Sequence, residues 1–214
     1  MFCNKNKISA YDFEELRKTI KPFMKEKRYI HTLGVENEAV KIAKIYNCGE
    51  EFIKKLRTAA ILHDITKEFT IEKHLEVCKT YGIKLSGDDL KSVKPIHAKT
   101  GAYIAKLEFG AGKTVFDGIY NHTVLAPSKA FDLFGRIIYL ADWTEPGRDY
   151  SDCAEVREYF YSKINRSAVP AEKSGVLDQT ILFSCNKSIQ ALINDGLFIH
   201  RDTIACRNAL ILKK

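Results

Sequence analysis

His63 and Asp64 stand side by side where the apolar run Ala59-Ala60-Ile61-Leu62 stops, and Lys67 follows three residues on. Both an imidazole and a carboxylate ligate metal ions, and neighbours on a helix point about 100° apart, so the pair reaches one ion from adjacent directions. A His-Asp dipeptide alone is weak evidence, but an aspartate closing an apolar segment needs a partner, because unpaired Asp is almost never fully buried. His31, His97, His122 and Asp142 share this peculiarity: each lies on or at the end of an apolar helical pattern. A lone histidine in such a place reads as a satisfied core residue. Four histidines and two aspartates together read as a metal site. His74, set among Glu72, Lys73 and Glu76, and His200, beside Arg201 and Asp202, are expected to be surface residues.

Imidazoles and carboxylates without thiolate suit iron, manganese or zinc in an open geometry better than a closed structural zinc. Open coordination admits water, whose pKa a divalent ion lowers towards neutrality, which makes hydroxide available for attack at phosphorus. Arg28, Lys67 and Arg148 fall near the same helix ends and are the cations expected to neutralise phosphate oxygens.

The elements that must position these residues read as helix after helix. Tyr11 to Lys27 places Phe13, Leu16, Ile20 and Phe23 at helical spacing, divided or bent at Pro22. Leu33 to Ala43 continues the pattern to a stop near Asn47 and Gly49, and the third helix, from about Glu50, carries the His-Asp pair at its C-terminal end. Thr70 opens a short helix that Gly82 closes, and Ser86 to Ser92 forms another turn. His97 to Phe109, Val115 to His122, Ser128 to Thr144, Cys153 to Ile164, Lys173 to Asn194 and Thr203 to Leu212 complete the set. Alternating strand patterns are scarce and no repeat or low-complexity linker interrupts the chain. The expectation is an all-α, single-domain helical bundle over residues 1–214 with the metal site in its core cleft.

Composition narrows the classes. The six cysteines form no CxxC pair and read as reduced thiols; no leader-like segment occupies Met1 to Lys7, and no apolar run approaches a membrane span, so a cytoplasmic location is expected. The net charge of +7 favours anionic partners, yet the lysines are spread over every helix, which argues against a nucleic-acid groove. Gly110-Ala111-Gly112-Lys113-Thr114 lacks the spacing of a phosphate loop and reads as a connector.

The ordered set His31, His63-Asp64, Asp142 resembles the signature of the HD-domain metal-dependent phosphohydrolases. Arg28-Tyr29-Ile30-His31-Thr32-Leu33-Gly34-Val35, Leu62-His63-Asp64-Ile65-Thr66-Lys67, Asn121-His122-Thr123 and Leu140-Ala141-Asp142-Trp143-Thr144-Glu145-Pro146-Gly147-Arg148 are similar to the YqeK-type symmetrical bis(5'-nucleosyl)-tetraphosphatases of that superfamily. The resemblance runs from about 28 to 148 and, more weakly, to Asn208. It departs at Val124-Leu125-Ala126-Pro127, where the family shows a glycine and a methionine-containing segment.

The resemblance implies symmetrical cleavage of diadenosine tetraphosphate to two ADP and an iron centre, mono- or dinuclear, with manganese or another divalent ion as alternatives. It implies His31, His63, Asp64 and Asp142 as metal ligands, and His97 and His122 as ligands of a second metal or contacts to phosphate. Asp64 and Lys67 join that pair in the catalytic set. Arg28, Lys67, Thr123, Arg148 and Asn208 match nucleotide-contacting places, and a homodimer is compatible. Two other functions stay open on residues alone: hydrolysis of nucleoside monophosphates at the same centre, and a non-catalytic nucleotide- or RNA-binding metalloprotein.

Overall fold

The computed structural model of the chain describes residues 11–126, 132–165 and 170–212. Eleven α-helices and no strand occur among the described residues. Cys3, the segment from Met1 to Lys7 and the helix start expected at Ser128 lie outside them.

Helix α1 (Phe13–Ile20) begins where the Asp12 carboxylate accepts from the Glu15 N–H, and it buries Leu16 and Ile20. The 3-10 turn Lys21–Phe23 follows, because Pro22 cannot extend the α-helical ladder. Helix α2 (Glu26–Ile45) buries His31, Val35, Ala39 and Ile42 on one stripe, as their three- and four-residue spacing requires. It ends at Asn47, whose φ of 53° is the left-handed turn that Asn tolerates. Helix α3 (Glu50–Leu62) buries Leu56, Ala59, Ala60 and Leu62 and delivers His63 as its C-cap.

The Thr70 hydroxyl caps α4 (Ile71–Tyr81), which closes at Gly82 with φ 65°. Ser86 and Asp89 form a reciprocal capping box on the short α5 (Gly87–Lys91). Helices α6 (Ile96–Glu108) and α7 (Lys113–Asn121) pair closely, and α7 also packs on α3 and on α8 (Leu133–Thr144). A Cβ on Gly118 would stand 2.6 Å from the Phe134 ring, so the α7–α8 approach needs a glycine there. Helices α9 (Ser151–Ile164), α10 (Pro170–Asn194) and α11 (Arg201–Leu212) layer outward from α8. One hydrophobic cluster joins these elements from Leu16 to Leu210, with α2, α3 and α8 at its centre. All the chemistry-bearing residues sit at the ends or inner faces of those helices or of α6 and α7.

Two of the six histidines depart from expectation. His74 is only 4% exposed, packed against Phe69 with its Nδ1 2.9 Å from the Thr100 hydroxyl, and His200 is 6% exposed. Their polar sequence neighbours point outward from α4 and α11 while the imidazoles turn inward, a long-range effect that local composition does not report. Burial, reinforced by the Lys67 charge, lowers the His74 pKa from 6.5 to about 4. The unfolded chain therefore binds a proton that the folded protein excludes between those values. Stability is full above pH 6.5, falls as the pH drops towards 4, and is level below; this single group removes at most about 3 kcal/mol. Urea midpoints across that window should fall less steeply for His74→Gln than for the native chain, and parallel slopes would refute the assignment.

The five described cysteines are free thiols, four of them buried. No helix among the described residues is long and apolar enough to cross a membrane.

Candidate metal centre

Four imidazoles and two carboxylates meet at the inner ends of α2, α3, α6, α7 and α8. Asp64, 2% exposed and just past the end of α3, stands at their centre. Its Oδ2 lies 3.8 Å from His31 Nε2 and 3.4 Å from His63 Nε2, and its Oδ1 lies 3.0 Å from His97 Nε2 and 3.5 Å from His122 Nε2. Asp142, near the end of α8, places Oδ1 3.0 Å from His31 Nε2 and 3.8 Å from His63 Nε2. Among the described residues two groups have the compactness of a metal site: His31, His63 and Asp64, and Asp64, His97 and His122. Asp64 belongs to both.

The donor set fits a divalent ion on a second count. His31 Nε2, His63 Nε2 and Asp64 Oδ1 are buried and lack a hydrogen-bond partner, which is costly unless something positive satisfies them. Their other ring nitrogens explain why the lone pairs point inward. His63 Nδ1–H donates to the Ala60 carbonyl (2.6 Å), His122 Nδ1–H to Ile119 (2.7 Å), and His97 Nδ1–H to Lys94. A backbone carbonyl only accepts, so in each ring the proton resides on Nδ1 and Nε2 is left to ligate.

Electrostatics follow the same pattern. Burial alone would raise the Asp64 carboxyl, but the His63 ring, cationic only in the acid range where a carboxyl titrates, and the Lys67 ammonium hold its pKa well below the ordinary range. Burial is likewise overcome at Asp142, chiefly by Arg148, whose Nη2 donates to Oδ1 at 2.6 Å. Burial lowers the His63 pKa, and burial together with Lys67 lowers that of His97 to about 3, so both rings are neutral ligating bases. At His31 burial opposes protonation, yet the adjoining Asp142 and Glu145 carboxylates hold the pKa above 6.5. That corner attracts positive charge, whether a proton or a metal.

The cations expected to flank the site do so. Arg28 donates to Asp64 Oδ2 at 2.6 Å, and Lys67 Nζ lies 3.2 Å from His97 Nε2, its pKa lowered by burial. The Thr123 hydroxyl stands 3.2 Å from both His97 Nε2 and His122 Nε2. Beyond Thr123 opens a cavity of about 250 Å³ with Leu125, Tyr139, Trp143, Leu192 and Thr203 among its walls. Asn208 is not brought to this place: it is exposed on α11, where its side-chain oxygen accepts from Arg207 at 3.0 Å.

Glu145, a member of the Leu140 to Arg148 motif with no role expected of it, also belongs to the centre. It is 2% exposed, and His31 Nδ1–H donates to its Oε1 at 3.0 Å. The signal available in the sequence was Gly34, one turn after His31. A Cβ there would come within 2.3 Å of Glu145 Oε2, so the glycine marks a side chain pressed against α2.

Known proteins are similar to this chain in sequence and fold. The model of the HD domain family matches residues 28–147. A protein of Halalkalibacterium halodurans named "Bis(5'-nucleosyl)-tetraphosphatase, symmetrical" is 31% identical over 91% of this chain and 95% of its own. A Bacillus subtilis protein of the same name is 31% identical over 75% of this chain and 84% of its own. The crystal structure of a Clostridium acetobutylicum protein, described as a predicted HD superfamily hydrolase involved in NAD metabolism, superposes with a TM-score of 0.81 at 31% identity, covering 95% of this chain and 99% of that one.

Proposed function

The chain belongs to the HD domain family of metal-dependent phosphohydrolases, and from that premise we propose that it hydrolyses diadenosine tetraphosphate and related dinucleoside polyphosphates symmetrically to two nucleoside diphosphates. The observation that carries the reading is the convergence of four Nε2 atoms on Asp64 and Asp142 within a ring of cations. His31, His63, Asp64 and Asp142 hold the metal, which we take to be iron, with manganese as the next choice. When bound, such an ion polarises phosphate oxygens and lowers the pKa of water.

The chain's own residues supply the rest. Arg28, Lys67 and Arg148 each stand against a member of the ligand set and balance the charge of a polyphosphate threaded past it. Thr123 offers its hydroxyl to a phosphate oxygen, and the adjacent cavity receives a nucleoside. Cations on both flanks let one nucleoside diphosphate be held while the other leaves, so the bond broken is the central phosphoanhydride. The group Asp64, His97 and His122 is close enough to hold a second ion, and the same two histidines can instead contact phosphate. Residues 1–214 act as one domain, in the cytoplasm, on a small anionic substrate; a homodimer is compatible with this role.

Hydrolysis of diadenosine tetraphosphate by metal-loaded protein in heavy-oxygen water tests the reading. Label in ADP alone is expected. ATP plus AMP, or turnover of mononucleotides in preference to dinucleotides, would overturn it.

A further inference from the structure

Three of the four imidazoles are oriented by a local device that the fourth cannot use. His63 and His122 are the C-caps of α3 and α7, and Lys94 precedes α6, so each ring reaches a backbone carbonyl three residues back at a helix end; that of Ile119 takes the ring at 2.7 Å and the His122 backbone N–H only at 3.4 Å. His31 lies in the interior of α2, where the carbonyls one turn back are engaged in the helical ladder. Its Nδ1 needs an acceptor from elsewhere in the chain, and Glu145, 114 residues away, provides it.

Glu145 is itself fastened. Its Oε2 accepts from the Gly147 N–H at 2.7 Å, within its own turn. Arg157, on α9, donates to the carbonyls of Thr144 (2.8 Å), Glu145 (2.6 Å) and Arg148 (2.8 Å), gripping the turn from the far side. The same turn carries Arg148, which grips Asp142. We propose that Glu145 is a positioning residue: its carboxylate, clamped by Gly147 and by Arg157 through the turn, fixes the tautomer and ring plane of His31 so that Nε2 faces Asp64 and Asp142.

Without this acceptor the Nδ1–H of His31 would be buried and unpaired. Moving the proton to Nε2 would point it at Asp142 Oδ1, 3.0 Å away, and consume the lone pair that ligates. Oriented imidazole–carboxylate pairs commonly contribute 10- to 100-fold to metal affinity. Gly34 belongs to the same device, because any Cβ there displaces Glu145 without altering it chemically.

The proposal rests on His31 being a metal ligand, so the experiment separates the two claims. Zinc affinity of the full chain is measured by chelator competition for the native protein and for His31→Ala, Glu145→Ala, Glu145→Gln and Gly34→Ala. The exchange rate of the His31 Nδ1 proton in the zinc-loaded protein is followed by nitrogen-15 resonance. Glu145→Ala and Gly34→Ala are expected to bind zinc roughly 10- to 100-fold more weakly and to speed that exchange. Glu145→Gln keeps an acceptor for His31 but turns an amide towards the Gly147 N–H, and should fall between. A purely structural Glu145 would lower the urea midpoint and leave both readouts at native values. If His31→Ala loses zinc while Glu145→Ala and Gly34→Ala stay within about twofold of native, the positioning role is overturned; if His31→Ala retains zinc at native affinity, the ligand assignment falls, and the proposal with it.

Discussion

Asp64→Ala is expected to empty the metal centre and lower kcat by at least about a thousandfold, some 4 kcal/mol of transition-state stabilisation. The size follows from geometry: Asp64 is the carboxylate that faces all four imidazoles, Oδ2 towards His31 and His63 and Oδ1 towards His97 and His122. It belongs to both compact ligand groups, so its loss disarms the centre whether one ion or two are bound. The fold should survive with a penalty. Arg28 and Lys67 lose the anion that offsets them, and removing one partner of a buried pair costs about 3–5 kcal/mol. Asp64→Asn keeps the volume and separates shape from charge. Metal content by elemental analysis, turnover and circular dichroism on both variants decide the matter. Full metal content and native kcat in Asp64→Asn would sink the assignment.

How far the sequence spoke depended on the range of the interaction. Helix ends were legible because their chemistry is local: Thr70 caps the residue three ahead, Gly82 takes the left-handed conformation, and Pro22 stops a ladder. His31, His63, Asp64, His97, His122 and Asp142 stood out together because polar side chains on apolar helical patterns demand a shared reason, whereas the choice of His31, His63, Asp64 and Asp142 as ligands came from the resemblance. The polar neighbours of His74 and His200 misled, since what buries those rings arrives from other helices: Thr100 of α6 beside His74, and Asp89 of α5, 3.5 Å from His200 Nε2. Glu145 and Arg157 stayed hidden for the same reason. A turn between α8 and α9 has no periodicity to read, and its partner is a helix more than a hundred residues earlier. Asn208, expected among the nucleotide contacts from the weaker C-terminal end of the resemblance, lies exposed on α11, where no local pattern reports what its side chain meets.

Lys67→Met should lower kcat by about 10²- to 10³-fold with metal content unchanged and KM altered only several-fold. Lys67 follows the His-Asp pair in a tight turn, where its N–H donates to the Asp64 carbonyl at 2.9 Å, and its side chain runs inward to bring Nζ within 3.2 Å of His97 Nε2. Burial lowers its pKa, while the Asp64 and Asp142 charges favour the ammonium form. A desolvated cation so placed gains most when negative charge grows beside it, as on the oxygens of a phosphoryl group under attack. Arg28 and Arg148 each engage a carboxylate at 2.6 Å and so give less of their charge to substrate. Their replacement should weaken binding more than turnover, whereas loss of Lys67 should strike the chemical step. Lys67→Arg retains the charge but replaces a compact ammonium with a planar fork of different reach and geometry, and should recover only part of the rate. Single-turnover measurement on saturating diadenosine tetraphosphate isolates that step from release. A Lys67→Met rate within about threefold of native would remove Lys67 from the catalytic set and leave transition-state charge to the metal and the two arginines.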